Sequence, residues 1–463
     1  MMFDYNTYLS PYTWRYGSDA MRSVWSEAHK RRLWRKIWLA LAEVQSGYGL
    51  ISVEAVEDLR RHVDDIDVSR ALEIEAEIHH DLMAELKAFA EQCPVGGGSL
   101  HLGATSMDIE DNADALRIRQ ALDLILDRVK DLLLDFCEHI ESWAERPLIA
   151  FTHIQPAEPS TLGYRLSLYA QDLLHDWENL RRTRTHLRGK GFKGAVGTGA
   201  SYGELLGVEN LNAFEAQLAA RLGLPFYPVT SQTYPRKQDY SVIAALAGVG
   251  ASLYKFAFDL RILQSPPIGE LSEPFGSRQV GSSAMPFKRN PIKAEKIDSL
   301  ARLLAGMPRL AWDNASHSLL ERTLDDSANR RTLLPEAFLI TDEILSVASV
   351  VVQGLVLDET AMQHNLQQYG PFAASERVLM ALGKHGADRQ EMHERLRQHA
   401  MQAWRSVKDG DRNPLLALIR DDEVFNSYLD AEQLSNLLDV GAYTGDAADR
   451  ARRLVATIHD ALE

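Results

Sequence analysis

Apolar residues recur in steps of three or four after Asp111, at Ile118, Leu122, Ile125, Val129, Leu132, Phe136, Ile140 and Trp143. That spacing keeps them on one face of an α-helix. The pattern holds until Pro147, so at about 1.5 Å per residue the helix spans on the order of 50 Å. A second face runs through Leu162, Leu166, Tyr169, Leu173, Leu180 and Leu187, then gives way to the glycine-rich stretch Gly189 to Gly207. Further long helical patterns cover roughly 239–264, 291–312 and 330–357. Between them no run alternates with the period of two expected of a half-buried strand. The pattern predicts an all-α chain: a central bundle of about five long helices, flanked by shorter helices on either side. Boundaries near His101–Asp111 and near Asp358 divide it into 1–107, 108–357 and 358–463. Such long seams carry more apolar surface than one subunit covers, which favours an oligomer. Seams alone fit a scaffold as well as an enzyme, and the loops must decide.

Composition narrows the field. At 463 residues the chain exceeds what one hydrophobic core usually supports, and 45% hydrophobic with 25% charged residues is ordinary for a globular protein. A formal charge of −15 argues against general nucleic-acid binding, so an anionic ligand has to be met by a local group of cations. Cys93 and Cys137 can make neither a disulfide framework nor a zinc site and fit buried positions in a reducing compartment. The first 21 residues lack a basic segment followed by an apolar core, and the run around Ile344 to Leu357 is interrupted by Ser346, Ser349 and Gln353. A cytoplasmic location is the expectation. No metal-ligand cluster is visible. The stretch GKGFKGAVGTGAS is not a dinucleotide fingerprint, because no strand precedes it and the spacing of Gly194, Gly197 and Gly199 does not match. It reads as a flexible connection with close backbone packing near the site.

Three polar segments interrupt the helices: HLGATSMD at His101–Asp108, FTHIQPAEPS at Phe151–Ser160, and GSSAMPFKRNP at Gly281–Pro291. The third puts two hydroxyls behind a glycine and follows them with Lys288, Arg289 and Asn290, so it can present an oxyanion and a cation together. The string resembles the signature loop of the fumarase/aspartase superfamily, G-S-S-x-M-P-x-K-x-N, whose members eliminate fumarate from substituted succinates. Such an elimination needs a base for a very weak carbon acid, cations and amide donors for the dianionic intermediate, and an acid for the departing nitrogen. The resemblance implies Ser282 as the base and His153 as the acid, with Lys288 and nearby N–H groups stabilising the serine alkoxide. Alone, Ser282 would read as a loop-capping hydroxyl and His153, at the mouth of the second long helix, as a structural histidine. His79-His80-Asp81 falls inside a helical pattern; the resemblance makes His80 the support of His153, and gives Thr105 and Ser106 a substrate carboxylate. Those two hydroxyls otherwise look like a helix N-cap.

Beyond the shared loops, WRYGSDAM, HHDLMA, SQTYPRKQD and ERTLDDSANRR are similar to the adenylosuccinate lyases from near the N-terminus to about residue 400. The resemblance implies that Arg322, Ser327 and Arg331 grip the phosphate and succinyl parts of a nucleotide, that Arg15 and Tyr16 complete the phosphate pocket, and that Gln232 contacts substrate. Arginine forks suit such bidentate binding. Asp81 and Asn290 fall in the same motifs. His79 stands where an arginine often precedes the His-Asp pair in the family, although histidine is also usual in its bacterial members, and Lys296 stands where an arginine commonly follows Glu295; lysine keeps the charge but loses the fork. The implied fold is a three-domain helical one whose central bundle forms the core of a homotetramer, with active sites assembled from three chains. No metal or organic cofactor is expected, because side chains supply the charges the reaction requires. The implied reaction releases fumarate from adenylosuccinate and from the succinyl-carboxamide ribotide of purine biosynthesis. Another fumarate-releasing lyase, or a non-catalytic protein on the same fold, is the alternative.

Overall fold

The computed structural model describes residues 6–463; the first five residues of the stretch read above for a targeting signal lie outside it. Helix α1 (Glu27–Gly47) starts where Ser26 Oγ accepts the His29 N–H at 3.2 Å, with Glu27 in the first turn, where an acid meets the helix dipole favourably. Helices α2 (Val68–Ile78) and α3 (Asp81–Gln92) follow. The five long patterns of the sequence become α4 (Ser106–Ser142), α5 (Leu162–His186), α6 (Lys237–Leu263), α7 (Ile292–Ser316) and α8 (Asp325–Gln353), of 37, 25, 27, 25 and 29 residues. The chain has the all-α architecture that its periodicity predicts.

Three details depart from the sequence reading. A β-hairpin stands where no strand was expected: β1 (Pro147–Thr152) pairs antiparallel with β2 (Gln155–Thr161), with a register shift between Ile149 and Phe151. Pro156 and Pro159 hide it, because proline breaks the alternation and is tolerated only in edge strands. The C-terminal segment is not made only of shorter helices, since α9 (Glu359–Lys384) is 26 residues long. Gly370 and Pro371 interrupt its pattern, while Asp358 caps it by accepting the Ala361 N–H at 2.9 Å. The glycine-rich stretch, finally, is packed closely and anchored by side chains of α4, which its reading as a flexible connection did not foresee. Lys190 is buried against Asp108, whose carboxylate also accepts the Gly194 N–H and the Tyr202 hydroxyl at 3.2 Å. Asn112 clamps Gly191 from both sides, accepting its N–H at 3.0 Å and donating to its carbonyl at 3.1 Å.

The chain divides into two compact units. Unit 1 takes Met1–Val129, Asp176–Ala251 and Ser299–Ser346; unit 2 takes Lys130–His175, Ser252–Asp298 and Val347–Glu463. The core of unit 1 joins Trp34, Ile37, Trp38 and Leu41 of α1 to Phe89, Ile109, Leu116, Phe192, Tyr202 and Phe214. Side chains of this size contribute about 1.5–3 kcal/mol each when fully buried. Buried Glu85 of α3 accepts from Arg31 Nη1 at 3.0 Å and Arg35 Nε at 2.6 Å, which fixes α3 against α1. In unit 2, Val378 and Leu382 of α9 pack with Met392, Leu396, Ile419, Phe425 and Leu434. Helix α6 is long and apolar enough to cross a membrane by length and composition alone; half of that apolar window is buried within the protein, including Val242, Leu246, Val249 and Leu253. A helix apolar on several faces is the expected interior helix of a helical bundle.

Asp108 concentrates the acceptors that order the 190–194 turn. Replacing it (Asp108→Ala) strands the buried Lys190 ammonium and should lower unfolding free energy by about 3–5 kcal/mol in a urea titration. An unchanged midpoint would mean that the turn is ordered by packing alone.

Candidate active site

In unit 1 a cleft of about 350 Å³ is lined by His79, His80, Asp81, Thr105, Ser106, Gln232, Arg322, Ser327 and Arg331, all expected from the sequence, together with Glu75, Met107, Glu110 and Leu324. The two histidines do not lie inside a helix as the sequence suggested. His79 ends α2 in the left-handed region at φ 55, and His80 is extended at φ −147 as the N-cap of α3. The chain turns sharply there because a left-handed residue satisfies the last carbonyls of a helix, a position that favours glycine. His80 Nδ1 accepts the Met83 N–H at 3.4 Å, so the ring proton sits on Nε2, which lies 3.5 Å from Ser106 Oγ.

The loop carrying Thr105 and Ser106 is pinned from α1. Trp38 Nε1 donates to His101 Nδ1 at 3.0 Å and Gln45 Nε2 to the Leu102 carbonyl at 2.8 Å. Burial holds the His101 imidazole below its ordinary range, consistent with a neutral ring accepting that bond. The expected hydroxyl cap is not used: the Asp108 carboxylate accepts the Thr105 N–H at 3.0 Å, and the Thr105 hydroxyl makes no hydrogen bond among the described residues.

Opposite stand the start of α8 and the residues just before it. Arg331 Nη2 donates to Asp81 at 2.8 Å and Arg322 Nη1 to Asp326 at 2.9 Å. The Gln232 N–H donates to the Glu321 carbonyl at 3.1 Å, which ties its loop to the segment before α8. Beneath them Arg236 bridges Asp326 at 2.6 Å and Asp111 at 3.0 Å, and Arg330 donates to Asp239 and to the Tyr234 hydroxyl, each at 2.8 Å. Burial opposes ionisation of Asp326, but Arg236, Arg330 and Arg322 outweigh it and hold the carboxyl below its usual range. Arg15 and Tyr16 are not among the residues that line the cleft. They precede Gly17 and Ser18, whose N–H groups donate to Glu343 at 2.8 Å and Asp342 at 2.5 Å in the middle of α8.

His153, Ser282, Lys288, Asn290 and Lys296 belong to unit 2. His153 and Ile154 form the two-residue tip of the β1–β2 hairpin, both left-handed at φ 54 and 59, and both exposed. That places His153 at a hairpin tip, ahead of the second long helix and separated from it by β2. In the 281–291 loop, Ser282 Oγ accepts the N–H groups of Ala284 at 3.3 Å and Met285 at 3.1 Å. Two amides aimed at one oxygen are what a serine alkoxide requires, and also what a capping hydroxyl uses. Asn290 Nδ2 donates to the Gly281 carbonyl at 2.9 Å, and a Cβ on Gly281 would fall 2.0 Å from the Lys288 carbonyl. Only glycine lets the loop close on itself there. Lys288 is exposed, and Lys296 is part-buried in α7. No hydrogen bond or ion pair joins His153 to Ser282 or Lys288 among the described residues.

The chain matches the family model described as "Lyase" over residues 17–306 and that described as "Adenylosuccinate lyase C-terminus" over 371–454. It is 38% identical to the adenylosuccinate lyase of Saccharomyces cerevisiae, covering 98% of this chain and 95% of that protein. The chain belongs to the adenylosuccinate lyase family. The adenylosuccinate lyase of Schizosaccharomyces pombe is 39% identical over the same shares, and that of Pyrococcus abyssi is 35% identical over 98% of each chain. Among solved structures, the 3-carboxy-cis,cis-muconate lactonizing enzyme of Pseudomonas putida matches with TM-score 0.85 at 25% identity, covering 97% of this chain and 98% of that one. Fumarate lyase from Mesorhizobium sp. BNC1, at 24% identity and TM-score 0.83, covers 95% and 98% and shares the fold. For this adenylosuccinate lyase family member, the cleft-lining positions not expected from the sequence were Glu75, Met107, Glu110 and Leu324. Glu110 carried a usable signal: it lies four residues beyond Ser106 on the same helix, hence on the same face.

The hairpin tip generates a prediction. A β-branched residue at positive φ is strained by about 1–3 kcal/mol, and Ile154 is 67% exposed, so it has little burial to lose. Ile154→Gly should therefore raise the unfolding free energy by up to about 2 kcal/mol after the added chain entropy of glycine, read as a higher calorimetric midpoint. A lowered midpoint would indicate that Ile154 is covered in the assembled protein.

Proposed function

We propose that this lyase cleaves adenylosuccinate to AMP and fumarate, and by the same elimination cleaves the succinyl-carboxamide ribotide. The observation that carries the reading is the unit 1 cleft, where two arginines, three hydroxyls and a histidine with its Nε2 proton exposed converge on one space. Arg322 and Arg331, held by Asp326 and Asp81, and the Ser327 hydroxyl supply donors for a phosphate or carboxylate, and Thr105 and Ser106 supply hydroxyls for a second carboxylate. In the proposed reaction the Ser282 alkoxide takes the proton from the succinyl carbon next to a carboxylate. The electron pair forms the fumarate double bond as the carbon–nitrogen bond breaks, and His153 gives its proton to the departing nitrogen. Ala284 and Met285 N–H groups, with Lys288, favour the alkoxide, and Asn290 holds the loop closed. His80 supports His153. Asp81, His79, Gln232, Lys296, Arg15 and Tyr16 complete the substrate contacts. The reading includes a three-domain organisation at 1–107, 108–357 and 358–463, a cytoplasmic location, and a homotetramer whose long-helix core brings loops of different chains together.

Purified protein incubated with adenylosuccinate should release fumarate, followed by its ultraviolet absorbance; no release at high protein concentration rejects the reading. Arg331→Ala should raise KM on the order of 10- to 100-fold with a smaller change in kcat, because a charged donor typically contributes about 1.5–3 kcal/mol. Unchanged KM with normal folding would make Arg331 a surface partner of Asp81 only.

Shared sites have a sharper test. His153→Ala and Ser282→Ala proteins should each be nearly inactive. Dissociated, mixed in equal amounts and reassembled at random, about a quarter of sites should receive both intact residues, and activity should climb towards that fraction. If verified exchange restores nothing, the two residues act from one chain or one of them is not catalytic.

A further inference from the structure

Three carboxyl groups stand on the wall of the unit 1 cleft, and two are tied to partners. Glu75 faces the Arg31 guanidinium at 3.7 Å. Asp81 accepts the Leu82 N–H and the Arg331 guanidinium, each at 2.8 Å. Glu110 makes no hydrogen bond or ion pair among the described residues. It is part-buried, one turn beyond Ser106 in α4, and lines both the cleft and a neighbouring cavity of about 140 Å³ that shares Asp81, Ser327 and Arg331.

The charges around it explain why no cation answers it. Lys30 of α1 is on Glu27 at 2.8 Å, and Arg117 of α4 is on Asp114 at 3.3 Å. From the α8 side, Arg322 is on Asp326 at 2.9 Å, Arg330 on Asp239 at 2.8 Å and Arg331 on Asp81 at 2.8 Å. Glu75 of α2, Asp111 of α4, and His79 and His80 between α2 and α3 complete the titratable surroundings. We propose that Glu110, the cleft carboxyl without a partner among the described residues, is a specificity-determining residue that grips the edge of the nucleotide base, giving its O–H to a ring nitrogen and accepting the adjacent N–H. This rests on the nucleotide reading of the cleft.

The protonation state follows from the surroundings. Burial first, then Asp81, Asp114 and Asp111, push the Glu110 carboxyl up to about 8, with Lys30 opposing. The choice of ligand atoms follows from the protonation state. A carboxylic acid offers one donor beside one acceptor, which matches a base edge where a ring nitrogen lies next to an amino N–H. A carboxylate would offer two acceptors and set one against the ring nitrogen lone pair. Since Glu110 is protonated below about pH 8 and ionised above it, the grip is present at neutral pH and lost as pH rises through that value.

The test is calorimetric binding of AMP to the purified protein from pH 6.5 to 9.5, with ribose 5-phosphate as a ligand that lacks the base. Wild-type affinity for AMP should fall above about pH 8. Glu110→Gln keeps a neutral donor and acceptor, so it should bind AMP near wild-type strength at pH 7 and lose that alkaline fall. Glu110→Ala should bind AMP about tenfold more weakly at pH 7, the worth of one to two hydrogen bonds, and leave ribose 5-phosphate unchanged. Three results would each overturn the proposal: AMP binding by folded Glu110→Ala equal to wild type, an alkaline fall that persists in Glu110→Gln, or equal weakening of both ligands in Glu110→Ala. Because the readout is binding, wild-type protein that shows the Glu110-dependent fall yet releases no fumarate would defeat the lyase reading alone.

Discussion

Behind the residues that line the unit 1 cleft lie two buried guanidiniums on which its Arg322 fork depends. Arg236 and Arg330 are nearly inaccessible to water and answer Asp111, Asp114, Asp239 and Asp326, which are also largely enclosed. Ion pairs this deep return little net stability, because desolvation offsets most of the attraction. What they provide is position. Asp326 is held between Arg236 below and Arg322 above, so the Arg322 fork can point only where Asp326 allows. Removing Arg236 would leave buried Asp111 with only the Tyr234 N–H and Asp326 with Arg322 alone, a penalty larger than the pair's own contribution.

Unit 2 organises its chemistry through backbone geometry. The hairpin carries His153 on a turn whose two residues both take positive φ, which suits the right-handed twist of a hairpin and normally selects Asn-Gly. The 281–291 loop closes at Gly281, where no other residue fits against the Lys288 carbonyl, and its amides converge on Ser282 Oγ. Both features hold exposed polar groups in fixed directions without burying charge. Each depends on a local conformation that is costly to replace.

The helices were legible because their apolar seams are long and regular, and the bounds of α4 to α8 fall within a few residues of the pattern. The hairpin was not, since its second strand contains two prolines and little apolar alternation. His79 and His80 were misplaced into a helix for a related reason: the flanking periodicity runs through them, and the break between α2 and α3 is made by a non-glycine residue at positive φ that no propensity signals. The anchoring of the 189–207 stretch was invisible because its partners, Asp108 and Asn112, lie on α4 far away in sequence. Motif residues of the cleft were recognisable by resemblance. Glu110 was not, because an acid on a helix next to Asp111 and Asp114 reads as one more member of a solvated face.

Those acids bear on how a chain of net charge −15 can accept an anionic ligand at all. Long-range attraction is absent, so binding must come from charges within about a Debye length, on the order of 8 Å at physiological ionic strength. Over that range the balance is set by individual side chains: Arg322 and Arg331 against Asp81, Glu75 and Glu110. An ionised Glu110 would give the cleft wall one more negative charge than its arginines supply, and a neutral one removes it without removing the polar contact. The shortage of free cations around Glu110 therefore serves the same end as the buried arginines: both fix which acids of this acidic protein are charged where a nucleotide would lie.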